Sequence, residues 1–198
     1  MRVVLATGNQ GKLRELQALL APLGFEVLPQ FTFTSASVEE TGLTFVENAI
    51  LKARHAAQAS GLAAIADDSG LEVDALHGEP GIRSARYAGA GASDEQNLQK
   101  LLAELRARPS ASRMARYRCA LVFMRWAQDP SPLICQTHWE GRIIDTPRGS
   151  GGFGYDPVFE LPERLVTVAE LPADEKNRLS HRGRALQELV LRLRTQTA

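Results

Sequence analysis

The chain has 198 residues and balances 23 Lys plus Arg against 23 Asp plus Glu, which argues against a nucleic-acid coat, a polybasic membrane binder or an acidic tail. A hydrophobic fraction of 44% with 23% charged residues lies far from the signature of disorder. A chain this long can bury about 70% of its unfolded surface around a core that needs no staples, so one packed domain over residues 1–198 is the expectation. Only four of the basic residues are Lys: Lys12, Lys52, Lys100 and Lys176. The N-terminus turns polar too soon for a secretory signal, and no apolar window approaches the roughly 18 residues of a membrane span. A soluble, cytoplasmic protein with no membrane partner is expected, with Cys119 and Cys135 as buried thiols in apolar, strand-like runs.

In chain order, Val3 to Ala6 reads as a strand, and Thr7-Gly8-Asn9-Gln10-Gly11-Lys12 as a polar loop. A helix follows, with apolar stripe Leu13, Leu16, Leu19, Leu20 and Leu23, ended by Gly24. Phe25 to Leu28 predicts a second strand. Thr44 and Glu47 match a capping box that opens an Ala-rich helix closed by Gly61. Ala63 to Ala66 predicts a strand running into an acidic turn, Asp67-Asp68-Ser69-Gly70, followed by an extended Leu71 to Leu76 and a loop from His77 to Gly91. Ser93 and Gln96 form a second capping box, before a helix that buries Leu98, Leu101, Leu102 and Leu105. Tyr117 to Trp126 and Leu133 to Ile144 predict an antiparallel hairpin turning at Asp129 to Pro132. Pro147 to Pro157 is a Gly-rich loop, and Ser180 caps a last helix with core face Leu186, Leu189, Val190 and Leu193. Strands alternating with helices and then a hairpin indicate an α/β fold on a mixed sheet.

Three loops carry chemistry. The Thr7 to Lys12 loop, set between strand and helix, suits an anion. It fails the Walker pattern at both ends, with Ala6 at the first glycine and Leu13 at the magnesium ligand, so any metal must be held by carboxylates elsewhere. A tight turn with a surface lysine is the plain alternative. Adjacent carboxylates at Asp67-Asp68, after an apolar strand, suit magnesium, which takes one or two carboxylates plus substrate phosphates. Glu39-Glu40 could add a ligand or be a solvated turn at a helix N-terminus. Gly149 to Gly154 satisfies G-x-G-x-x-G, but Pro157 stands where a helix should open. Phe153, with Tyr155 and Asp156, instead suggests a surface on which a planar ring stacks. Lys176, His181 and Arg182 flank the last helix, where a lone His is more often a cap partner than a catalyst.

Taken together, these segments resemble the inosine/xanthosine triphosphate pyrophosphatase family. The matching segments are Thr7 to Lys12, Glu39 to Gly42, Phe45 to Ala49 with Lys52-Ala53, Ala66 to Leu71, Pro80-Gly81 with Ser84 to Gly89, Phe153 to Pro157, and Ser180 to Arg182, in the family's order. Arg83 departs from the apolar or aromatic residue expected there. The resemblance implies an elongated, twisted mixed β-sheet flanked by helices, two lobes with a central cleft, and a homodimer. It implies hydrolysis of ITP, dITP and XTP to the monophosphate and pyrophosphate, with Mg²⁺ as cofactor. It assigns the triphosphate to Thr7, Gly8, Asn9, Gln10, Gly11, Lys12, Ser69 and Lys176. The metal goes to Glu40 and Asp68, the proton acceptor to Asp68, and the base to Phe153, Gly154, Tyr155, Asp156, His181 and Arg182.

The chemistry matches those residue types, since a metal with lysines and N–H groups can neutralise a leaving pyrophosphate. A donor such as Arg182 or a backbone N–H aimed at a 6-keto group can discriminate against a 6-amino base by roughly 10⁴-fold or more. A related pyrophosphatase acting on modified pyrimidine nucleotides is the nearest rival. Against a nucleic-acid partner stand the zero net charge and the lack of a basic run.

Overall fold

The computed structural model describes residues 1–196; the side chains of Leu23, Thr195 and Gln196 lie outside the described residues. The chain opens with β1 (Arg2–Leu5), whose Val3, Val4 and Leu5 are fully buried, and α1 (Gln10–Leu20), which buries Leu13, Leu16 and Leu20. A short 3₁₀ turn ends at Gly24, whose φ of 78° needs a residue without a Cβ. Next come β2 (Glu26–Pro29) and α2 (Phe45–Ser60). β1 pairs in parallel with β2 and with β3 (Ala63–Val73). Parallel neighbours need crossover connections, which α1 and α2 supply.

Both expected capping boxes are complete: Thr44 with Glu47 opens α2, and Ser93 with Gln96 opens α3 (Asp94–Arg106). β4 (Met114–Met124) and β5 (Leu133–Ile143) follow, then β6 (Phe159–Leu161), β7 (Val166–Thr167), α4 (Ala173–Leu179) and α5 (His181–Gln196). The strands form a seven-stranded mixed sheet in the order β2-β1-β3-β4-β5-β6-β7, with β5, β6 and β7 antiparallel.

The structure corrects the sequence reading at the acidic segment. Asp67 to Gly70 is not a turn; it lies inside β3, an 11-residue strand. Turn propensity loses there because Asp67 and Asp68 are buried and paired with cations, as set out below. Ser180, with an extended backbone directly before His181, stands at the N-cap position of α5 expected from the sequence, and it also ends α4, its N–H donating to the Lys176 carbonyl at 2.9 Å.

The described chain divides into two compact units. The first comprises Met1–Asp68, Cys119–Thr137 and the segment from Arg182 onward. It has two apolar clusters, split by the alternation of β1 and β3. Val3, Leu5 and Ile65 pack with α1 and with Ala185, Leu186 and Leu189 of α5, whereas Val4, Ala6, Ala64 and Ala66 pack on the alanine face of α2. Leucines such as Leu16 and Leu20, fully buried in the first cluster, contribute about 2 kcal/mol each relative to exposure. The second unit, Ser69–Arg118 and His138–His181, has one cluster built on α3, Tyr117, Trp139 and Phe159.

Both cysteines are buried and free. Burial, then the charge of Asp67, raises the Cys119 thiol, and burial with Glu188 pushes Cys135 up to about 11. These are packing thiols rather than nucleophiles. No described helix is long and apolar enough to cross a membrane.

Candidate active site

The loop between β1 and α1 is organised around Asn9. Its backbone is extended (φ −81°, ψ 113°), and its Oδ1 accepts from the N–H groups of Gly11 at 2.8 Å and Lys12 at 3.1 Å. The Asn9 N–H donates to Thr7 Oγ1 at 3.2 Å. This helix cap takes two of the N–H groups that the sequence offers to an anion, so a phosphate reaches them only by displacing the Asn9 carboxamide. Gly8 has open space where a Cβ would stand, and Gln10 is the first residue of α1.

The two adjacent carboxylates of β3 point to opposite faces of the strand. Asp67 is in phase with Ile65, on the α1 and α5 side. Its Oδ2 lies 3.1 Å from Lys12 Nζ and 3.2 Å from Arg182 Nε, and Arg182 also bridges to Glu15. Asp68 is in phase with Ala64 and Ala66, on the α2 side. Its Oδ1 lies 2.6 Å from Lys52 Nζ, which also reaches Glu40 at 3.1 Å. Asp68 Oδ2 is buried without a hydrogen-bond partner.

Glu40 is held by its surroundings. The Gly42 N–H donates to Asn48 Oδ1 at 2.8 Å, and a Cβ at Gly42 would fall 2.5 Å from Glu47 Cβ. The turn carrying Glu40 is therefore clamped on the start of α2.

Burial by itself would lower the Lys52 ammonium, but Asp68, Asp67 and Glu40 outweigh it and raise the group. At Asp68 burial wins: the carboxyl is raised although Lys52 and Lys12 pull it down. Burial disfavours the Arg182 cation, yet Asp67 and Glu15 hold it fully protonated.

The second unit holds the Gly-rich loop. Asp156 Oδ2 accepts from the Phe153 N–H at 2.9 Å and from Lys176 Nζ at 2.8 Å, and its Oδ1 accepts from the Tyr117 hydroxyl at 3.0 Å. Lys176 Nζ sits 4.4 Å from the centroid of the Phe153 ring, a cation–π contact. Gly152, at φ +75°, wraps this carboxylate so tightly that a Cβ would lie 2.1 Å from Asp156 Oδ2. The Gly154 N–H donates to Asp94 at 2.8 Å. Tyr155 is 4% exposed, and its hydroxyl donates to the Ser84 carbonyl at 2.8 Å, so its ring serves the core. Of the two loop rings, Phe153 is the one that remains half-buried. His181, also buried, stacks on Tyr117 at 4.8 Å with ring planes 9° apart.

Against this geometry the comparisons are decisive. Residues 3–191 match the Ham1 family. The chain belongs to that family. It is 58% identical over 197 residues to a dITP/XTP pyrophosphatase of Vibrio parahaemolyticus, covering 100% of this chain and 98% of the relative. Among solved structures it is similar to a HAM1 protein from Coxiella burnetii, with a TM-score of 0.91 and 49% identity over 98% of this chain and 99% of that one. It is also similar to a nucleoside-triphosphatase / dITP/XTP pyrophosphatase from Mycobacterium abscessus, with a TM-score of 0.75 and 38% identity over 96% and 97% of the two chains. These matches agree with the mixed sheet and its flanking helices.

Within the family frame, the structure unites Lys12, Asp67 and Arg182, and separately Glu40, Lys52 and Asp68. It sets Lys176 with Asp156 and Phe153. Sequence reasoning gave no role to Lys52, Glu15 or Tyr117. Lys52 lay in a matched segment, and Glu15, three residues after Lys12 on one helix, shares its face. Tyr117 carried no sequence signal beyond strand propensity.

Proposed function

We propose that this protein hydrolyses the non-standard purine nucleoside triphosphates ITP, dITP and XTP to the monophosphate and pyrophosphate, keeping them out of nucleic-acid synthesis. The observation that carries the reading is the Glu40–Lys52–Asp68 cluster, in which Asp68 keeps a buried oxygen without a partner beside a fixed lysine. The printed names of the relatives from Vibrio parahaemolyticus and Mycobacterium abscessus support the same chemistry.

The donor set fits Mg²⁺. Glu40 and Asp68 supply hard oxygens, one of them buried and unpartnered, and magnesium commonly takes one or two carboxylates with phosphates and water completing its shell. Among the described residues no group of three or more such ligands stands ready, so the substrate must supply the rest. When bound, the ion neutralises charge developing on the pyrophosphate.

The chain's own residues do the remainder. Lys12 and the loop from Thr7 take phosphate oxygens, and Ser69 of β3 takes another. Lys52 orients Asp68, which accepts the proton of the attacking water. Asp67 holds Lys12 and Arg182 on the other face of β3. Phe153 stacks on the base, and the pairing of Lys176 with Asp156 favours a place for Lys176 at the base rather than the phosphates. Arg182, fixed by Glu15 and Asp67, is a pre-oriented donor to the 6-keto group. The active form is a homodimer in the cytoplasm, where the nucleotide pool lies.

The test is pyrophosphate release by purified protein offered ITP, dITP, XTP, dUTP and the four standard triphosphates, with and without Mg²⁺. Mg²⁺-dependent release from the first three alone is expected. Preference for dUTP, or turnover unaffected by chelator, overturns the reading.

A further inference from the structure

We infer that Tyr117 is a positioning residue for base selectivity, a side chain that references two separate base-recognition segments to the sheet. The inference rests on the reading that Phe153 to Asp156 and His181 face the base. Tyr117 lies on β4, 8% exposed, with its ring 4.5 Å from Phe159 and so locked into the core of the second unit. From that anchored ring two contacts leave. The hydroxyl donates to Asp156 Oδ1 at 3.0 Å, and the face of the ring stacks on His181 at 4.8 Å.

The first contact reaches the stacking residue through one carboxylate. Asp156 Oδ2 holds both the Phe153 N–H and Lys176 Nζ, and Lys176 in turn lies over the Phe153 ring. A shift of Asp156 moves the Phe153 backbone and the Lys176 ammonium together. Gly152 makes room for the carboxylate in this position, because a Cβ there would lie 2.1 Å from Asp156 Oδ2. The second contact sets the plane of His181. Tyr117 thereby fixes the spacing between Phe153 and His181, residues 28 apart in sequence. Selectivity between 6-keto and 6-amino purines depends on that spacing, since a donor displaced by a fraction of an ångström loses the hydrogen bond on which discrimination rests.

The experiment separates hydroxyl from ring. Tyr117→Phe keeps the stack and the packing on Phe159 and removes only the bond to Asp156; Tyr117→Leu removes both. KM and kcat are measured for ITP and ATP, alongside thermal unfolding of each variant. For Tyr117→Phe the expected result is a KM for ITP raised about tenfold, kcat within about twofold of wild type, and an ITP-over-ATP ratio of kcat/KM lowered about tenfold, the pattern of lost binding rather than lost chemistry. Tyr117→Leu lowers the ratio further. If Tyr117→Phe keeps the wild-type ratio and KM, and only Tyr117→Leu changes them in step with a lost melting temperature, the side chain is structural and the inference falls. Wild-type protein that does not turn over ITP would instead remove the functional reading itself.

Discussion

Two of the molecule's buried lysine–aspartate pairs look alike on paper and differ in what surrounds them. In the first unit Lys52 and Asp68 approach to 2.6 Å; in the second, Lys176 and Asp156 approach to 2.8 Å. Asp156 also accepts from Tyr117 and from the Phe153 N–H, so both its oxygens are engaged. Asp68 spends one oxygen on Lys52 and leaves the other buried and unpartnered. Burying a carboxylate oxygen without a partner costs free energy, and a fold retains such an atom where an incoming group uses it. In the proposed reading the saturated pair builds a loop, and the half-satisfied pair does the chemistry. Proximity of a lysine is therefore no guide to role; in this reading a carboxylate whose oxygens are both engaged is structural.

The sharpest way to break this comparison is Asp68→Asn. The amide keeps the shape but cannot accept a proton from water, so turnover of ITP should fall by about 10³-fold or more while nucleotide binding, followed by equilibrium dialysis, stays within about threefold of wild type. An Asp68→Asn protein that retains activity would move the proton acceptor elsewhere.

The matching change in the second unit should act differently. Asp156→Ala strands the Lys176 ammonium, 8% exposed at its side chain, without its partner, and breaking a buried pair in this way typically costs about 3 to 5 kcal/mol. For a chain of this length that corresponds to roughly a 10 °C drop in melting temperature. The residual enzyme should lose its preference for ITP over ATP before it loses kcat. A variant that melts normally but is inactive would show that Asp156 is chemical after all and that the contrast with Asp68 is false.

These roles were only partly legible in the sequence. Both capping boxes were, because Thr44 to Glu47 and Ser93 to Gln96 are local patterns that need no tertiary context. β3 was misread at Asp67 to Gly70 because its strand character comes from cations brought from α1, α2 and α5, the most distant being Arg182. β6 and β7, with three and two residues, are too short to show a period. Family resemblance found the loops, and strand alternation alone could have sent Asp67 and Asp68 to opposite faces. The state of each oxygen was out of reach, since Tyr117 and Asp156 meet across 39 residues of sequence.

A third carboxylate calibrates the rule with the smallest effect. Asp129, in the first unit between β4 and β5, has both oxygens engaged: Oδ2 accepts from the Arg125 N–H at 3.1 Å and from Arg125 Nε at 2.8 Å, and Oδ1 accepts from Arg125 at 2.5 Å and from the Ser131 N–H at 3.0 Å. The side-chain bond from Arg125 holds its carboxyl well below the usual carboxylate range. A carboxyl lowered on folding contributes stability that is present above its unfolded pKa, near 4, and is lost as the pH falls through the folded value. Asp129→Asn should therefore cost about 1 to 2 kcal/mol at pH 7, with kcat and KM for ITP unchanged. The difference in melting temperature from wild type should shrink as the pH drops below about 4. If the saturated-oxygen rule holds, this variant changes stability and leaves activity alone; a loss of activity at wild-type stability would mean that occupancy of both oxygens does not mark a carboxylate as structural, and the assignment of Asp156 would fall with it.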